Sequence, residues 1–364
     1  MKIIDVDRAR NGVLSLLRST GLRPDLADEM SHIIIQSDLM GHRTHGIAML
    51  PTYVERLSSG LITKEGEITV VRDTPVSLNW QAHRLPGAYV VRRALEALYE
   101  KVAMSPVVTA SIANCSHIGS LQAYLEEPAR KGYLCLMMVT DPGVASVAPF
   151  GGADPVLTSN PIAAAIPTHA DPILIDQCTS LVSNAQIQSA DTSKPLPGKW
   201  VMDNKGHASS DPAVLQTDPP GTIMPLGGEE FGYKGFGFGL MVEAFALALS
   251  GHGRLTPKQR GAQGVFLQLI DPAAFSGRGT FLDETTELVR RCTQSRPAEG
   301  SRGVRLPGVL CRKSGDRCAT GWKSATNFFR ASQLWRATLA WMHSRTSLWR
   351  PDRGRSVFQF HRYS

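Results

Sequence analysis

Apolar residues recur three and four apart through the first sixty positions, and the recurrence breaks where glycines stand. Val13, Leu14, Leu16 and Leu17 mark an opening helix that Gly21 ends. Leu26, Met30, Ile33 and Ile34 mark a second, opened by Pro24 and Asp25 and stopped at Gly41. Leu50, Tyr53, Val54 and Leu57 restart the period, and Gly60 closes it. Between the second and third helices lies Gly41-His42-Arg43-Thr44-His45-Gly46, a turn fixed from both sides. An imidazole there keeps a set angle, as proton transfer requires. A histidine in such a place can equally cap a helix end or satisfy a core hydrogen bond.

The first hundred residues read as mainly helical, and after Pro106 the period shortens. Residues 107–113 predict a strand, 114–120 a polar turn, 121–130 a helix, and 133–140 a strand apolar enough for burial on both faces. Together they predict one crossover unit. The helix after His117 presents unpaired N–H groups and a positive dipole end, which attract a phosphate or carboxylate; Ser116 or Ser120 would serve there simply as a cap. Pro149-Phe150-Gly151-Gly152 and Leu157-Thr158-Ser159-Asn160-Pro161 read as loops that let a ligand approach the backbone. Pro172-Ile173-Leu174-Ile175-Asp176 drives an apolar strand into a carboxylate, suited to a ribose hydroxyl, a histidine or a helix cap. Glycines at 232, 235, 237 and 239 around Lys234 suggest close contact with an anion, or a helix entry packed tightly. They form neither a Walker A loop nor a Gly-x-Gly-x-x-Gly fingerprint. Residues 263–271 predict a strand and 285–291 a helix.

With 364 residues, 42% of them hydrophobic, the chain can bury a large core in about two lobes. The N-terminus lacks a signal-peptide pattern, and no apolar run approaches the ~20 residues of a membrane span. A cytoplasmic protein without a membrane partner is expected. Six scattered cysteines form no Cys-x-x-Cys pair, which predicts neither a disulfide framework nor a metal site. The formal charge is +7, but residues 309–364 hold eleven Lys or Arg against Asp316 and Asp352, so the rest of the chain carries about −2. The basic surplus is local and predicts no nucleic-acid surface.

The motifs then fall into one order: Thr44-His45-Gly46 with Leu50-Pro51-x-Tyr53-Val54; residues 114–119; Pro149-Phe150-Gly151-Gly152; Ser159-Asn160-Pro161; Asp176; Trp200 with Asp203; Asp211-Pro212; Gly232-Tyr233-Lys234-Gly235; Asp271-Pro272-x-x-Phe275; and Arg305-Leu306-Pro307-Gly308. In this the chain resembles the malate/L-lactate dehydrogenase family, which includes ureidoglycolate, sulfolactate and diketogulonate dehydrogenases and cyclic-imine carboxylate reductases. The resemblance runs over residues 1–308. It implies an α/β fold with a non-Rossmann NAD(P)-binding domain and a helical N-terminal region. Residues 1–106 would be the helical lobe carrying the Thr-His pair, 107–270 the cofactor lobe and 271–308 a return segment. It implies a homodimer that uses NAD or NADP on a small 2-hydroxy or 2-oxo acid or a cyclic imino acid.

Residue by residue, Thr44 and His45 match the family's Ser-His pair, with the imidazole as proton donor. His117 matches a proton acceptor in some members and a cofactor contact in others. Cofactor contacts are implied at His117, Ile118, Gly119, Ser120, Leu121, Asp141, Asp176, Gln177, Cys178, Lys234, Arg305, Leu306, Pro307 and Gly308. Substrate contacts are implied at Met49, Ser159, Ala185 and Gln186. Met49 stands where relatives usually carry the arginine that binds the substrate carboxylate. Ala185-Gln186 replaces Gly-Lys or Gly-Asp, and Gln177 replaces methionine. Weak activity on ordinary 2-oxo acids is therefore expected, as is a gain on replacing Met49 by arginine. Residues 309–364, rich in Trp, Arg, Ser and Cys without period, read as a frameshifted, disordered tail. Two other readings exist: a non-catalytic relative that keeps the fold, and a metal hydrolase using His42, His45 and Asp176, for which no ligand spacing is present.

Overall fold

The computed structural model describes residues 5–188, 190–255, 261–301 and 303–308. The tail expectation for residues 309–364 lies outside the described residues.

The helical periods of the N-terminal region become α1 (Val6–Ser19), α2 (Pro24–Leu39) and α3 (Leu50–Ser58). Asp5 caps α1 by accepting the Asp7 and Arg8 N–H groups. Pro24 opens α2, where its missing N–H costs nothing. Each helix buries its apolar stripe: Val13, Leu16 and Leu17 on α1, Met30, Ile33 and Ile34 on α2, Leu50, Tyr53, Val54 and Leu57 on α3. Such a side chain contributes about 1.5–3 kcal/mol when taken from water. Two short 3-10 turns, Arg43–His45 and Ile47–Met49, join α2 to α3.

Two strands then interrupt the expected helical region, β1 (Thr69–Asp73) and β2 (Ser77–Gln81). Every residue of β1 is exposed, and β2 buries only Leu78 and Trp80. A strand without a buried face has no alternation to read. α4 (Gly87–Val102) carries the chain to β3 (Val107–Cys115), which pairs in parallel with β2. There follow α5 (Gln122–Arg130), β4 (Leu134–Thr140), β5 (Ile162–Ile166), β6 (Ile173–Gln177) and the short α6 (Asn184–Gln188). A small three-stranded sheet is made by β7 (Val201–Met202), β8 (Ala208–Ser209) and β9 (Thr222–Ile223). The described chain closes with α7 (Gly228–Ala246), β10 (Gln263–Ile270) and α8 (Arg278–Gln294).

The main sheet runs β1-β2-β3-β10-β4-β5-β6. The expected crossover unit is present as β3, α5 and β4, but its two strands are not neighbours. β10 lies between them and pairs antiparallel with both. Val265, Phe266, Leu267 and Leu269 of β10 are all buried, and a strand apolar on both faces belongs in the middle of a sheet.

The glycine-rich stretch is also corrected. It lies inside α7 rather than at the entry to a helix. A Cβ on Gly235 would sit 2.4 Å from the Leu226 nitrogen and 2.7 Å from the Thr179 carbonyl oxygen. The glycine lets α7 lie directly on backbone, which is the tight-packing alternative. Among the described residues no helix is long and apolar enough to cross a membrane.

Candidate active site

A cavity of about 870 Å³ gathers the turn after α2, the segment following β3, and the C-terminal ends of β4 and β6. Its lining includes Thr44, His45, Met49, His117, Ile118, Gly119, Ser120, Leu121, Asp141, Ser159, Asp176, Gln177, Cys178, Ala185 and Gln186. These positions, spread over some 140 residues of chain, were each singled out from sequence. Lys234 and the Arg305–Gly308 loop are not part of the lining. The Lys234 ammonium lies 4.9 Å from the Phe231 ring centre and 5.8 Å from that of Tyr233. Gly308 sits against Leu174 of β6.

At the centre two imidazoles stack, His45 on His117, with ring centres 5.7 Å apart and planes 11° from parallel. Each Nδ1 meets a hydroxyl: Thr44 Oγ1 at 3.0 Å from His45, Tyr53 OH at 2.8 Å from His117. Tyr53 is buried in α3, and burial pushes its phenol well above the usual tyrosine range, so it stays a neutral hydroxyl. Burial, with the charge of His42, lowers His45 to about 4. Burial, with the charges of His45 and Arg56, lowers His117 to about 3. Both rings are therefore neutral at neutral pH.

The turn that presents His45 is anchored by Asp38, near the end of α2. Its Oδ2 accepts the Ile47 N–H at 2.7 Å. A Cβ on Gly46 would fall 2.1–2.4 Å from that carboxyl group, so glycine is what lets the turn close against it. Burial raises Asp38 to about 6, against the opposing effects of the Ile47 N–H and Arg43.

The N-terminus of α5 does attract a carboxylate, and the chain supplies it. Asp176 Oδ2 accepts the Gln122 N–H at 3.2 Å, while burial raises its pKa. Ile118 donates its N–H to Gln263 Oε1 at 3.0 Å, tying the turn after β3 to β10. Asp141 accepts the Gly143 and Gly261 N–H groups at 2.9 and 2.8 Å. The Cys178 thiol is pushed up to about 11, chiefly by burial, and so is no nucleophile at neutral pH. The Ser159-Asn160-Pro161 loop is pinned by buried Asn160, whose Nδ2 donates to the Gly239 carbonyl at 3.1 Å and Glu243 Oε1 at 3.0 Å.

Sequence reading missed Asp38, the Tyr53 hydroxyl as a histidine partner, Arg56 and Gln263. Asp38 had a signal only in Gly46, since a glycine in a turn leaves room for a neighbouring side chain to press against it. Tyr53 was legible only as an apolar position of α3, because its polar end matters only once β3 brings His117 to it.

A dinucleotide suits this lining. The cavity is near the upper end of the range for small-molecule sites, and the Ser146 hydroxyl on its wall is buried without a partner among the described residues. The neutral imidazole pair supplies the proton-transfer groups that redox chemistry at a carbonyl needs.

A family model described as malate/L-lactate dehydrogenase matches residues 4–319. The L-lactate dehydrogenase of Cupriavidus necator is 27% identical over 313 residues, 84% of this chain and 88% of its own length. The L-sulfolactate dehydrogenase of Methanocaldococcus jannaschii is 26% identical over 335 residues, 90% of this chain and 94% of its own. The solved delta1-piperideine-2-carboxylate reductase of Pseudomonas syringae superposes with a TM-score of 0.80 at 24% identity, over 92% of this chain and 100% of that one.

Proposed function

The chain belongs to the malate/L-lactate dehydrogenase family, and from that premise we propose that the His45–His117 cavity is where it reduces a small 2-oxo acid or cyclic imino acid, or oxidises the corresponding 2-hydroxy acid. It is an oxidoreductase of the malate/lactate type. The observation that carries the site assignment is the stacked pair of neutral imidazoles, each with Nδ1 on a hydroxyl. That arrangement leaves Nε2 of each ring for the substrate. His45, on a turn fixed by Asp38, gives a proton to the carbonyl or imine in reduction and takes the hydroxyl proton in oxidation. Tyr53 holds His117 at its angle, and His117 hydrogen-bonds the reacting oxygen or the cofactor.

NAD or NADP is the cofactor, and its nicotinamide, when bound, gives or takes the hydride. Residues 118–121, Asp141, Ser146 and residues 176–178 would hold it; Lys234 and residues 305–308, off the cavity wall, would contribute only at its margin. Met49, Ser159, Ala185 and Gln186 would face the substrate. Because both rings rest neutral, oxidation finds its base ready, whereas reduction needs one ring protonated and speeds up in acid. The protein works in the cytoplasm as a homodimer; the dimer is supported by the exposed apolar side chains of α7 and the turn after it, Phe231, Phe238, Leu240 and Leu249.

The test is oxidation of NADH and NADPH against a panel of 2-oxo acids and cyclic imines. Turnover with one substrate class and one cofactor is the expected result. Absence of turnover across the panel, with folded protein, overturns the reading.

A further inference from the structure

Arg56 lies on α3, three residues beyond Tyr53 and seven beyond Met49. Those steps keep side chains on one helix face. A helical side chain leans toward the N-terminus, so the guanidinium reaches back toward Tyr53 and Met49. Arg56 lines the same cavity as His45, Met49 and His117, and its charge is felt by both Tyr53 and His117.

Its surroundings differ from those of two other half-buried arginines. Arg23 and Arg92 each hold a carboxylate of the chain. Arg56 is half-buried, yet no ion pair or hydrogen bond among the described residues engages its guanidinium. The acids on the cavity wall are committed elsewhere, Asp141 to two backbone amides and Asp176 to the start of α5. Nor does Met49 offer a donor. A partly desolvated guanidinium without a counter-ion is a ready partner for a planar anion, which it can meet with two parallel N–H bonds.

We propose that Arg56 binds the carboxylate of the substrate, in place of a cation at position 49, and so makes the site selective for 2-oxo or imino acids over their neutral analogues. This rests on the reductase reading of the cavity and names the residue that sets its substrate class. It also revises the expectation of weak activity on 2-oxo acids: an anion-binding group is present, two helical turns further along α3.

The probe is oxamate, an unreactive 2-oxo acid mimic, with neutral oxamide as control, titrated by calorimetry into the full chain with and without saturating NADH. Arg56→Met should weaken oxamate about tenfold or more, the loss of one charge-assisted contact. Oxamide and NADH affinities should stay within about threefold. Arg56→Lys should fall between, and Arg56→Met combined with Met49→Arg should recover part of the loss. KM for the best acid substrate should rise by the same factor, with kcat within about threefold. No oxamate binding by the wild-type chain, or an equal loss of oxamate and oxamide in Arg56→Met, overturns the proposal. Charge-selective oxamate binding that depends on Arg56 in a protein without turnover upholds the proposal and overturns the reductase reading, so the two failures are distinct.

Discussion

Asp38, seven positions before His45, fixes from outside the motif the turn that carries that imidazole. Its carboxyl group accepts the Ile47 N–H and fills the space beneath Gly46. With its pKa raised to about 6, it is charged above that pH and protonates below it, losing strength as an acceptor as pH falls. In the oxidation direction two acid limbs are therefore expected: a shallow one near pH 6 from Asp38, and a steep one near pH 4 as His45 protonates. Asp38→Asn keeps an acceptor oxygen without the titration and should remove only the first limb; a pH–kcat profile that keeps it would assign that limb elsewhere. His45→Ala should lower kcat by about 10²-fold or more while leaving NADH affinity within about threefold, because a proton donor acts in the transition state. Parallel losses in fluorescence titration and in turnover would take His45 out of the proton-transfer role.

At the scale of the element, α7 shows how far a sequence pattern can be read. Its glycines announced that something comes close to the backbone, but the residue type cannot say whether that is a ligand or a loop; here it is the Leu226 and Thr179 backbone. The same helix supplies its own control. A Cβ on Gly237 would meet nothing within 4 Å, whereas one on Gly235 would meet backbone at 2.4 Å. Gly237→Ala should leave stability unchanged or raise it by up to about 1 kcal/mol, the helix preference of alanine over glycine. Gly235→Ala should lower it by about 2 kcal/mol or more, since backbone cannot move aside as a flexible side chain does. Urea unfolding of the two variants makes the comparison, and equal midpoints would mean that α7 is not seated on that loop. The helices at 6–58 were legible because each buries one stripe; β1 was not, because it buries nothing.

For the whole molecule, most of the cavity wall was legible because its motifs are contiguous in sequence: Thr44 with His45, residues 117–121 and residues 176–178. What remained hidden were contacts between distant segments, such as Tyr53 with His117 and Ile118 with Gln263, since no local pattern encodes a partner 64 or 145 residues away. The exposed apolar side chains of α7 bear on assembly. Leu240→Asp should convert a dimer to a monomer in light-scattering chromatography and make the wild-type Tm, but not the variant's, rise with concentration. A wild-type monomer, or a variant that still dimerises, would rule out the surface around Leu240 as the contact.

The central place of β10 also has a consequence for how the protein is made. β3 and β4 leave the ribosome before residues 141–262, and β10 follows them. At about 5–20 residues per second that is a wait of roughly 6–24 s. Throughout it, β1-β2-β3 and β4-β5-β6 can form only as two half-sheets, each with an apolar edge awaiting the same missing strand. The nascent chain is thus most open to pairing with its neighbours on the polysome just before β10 arrives to seal the gap.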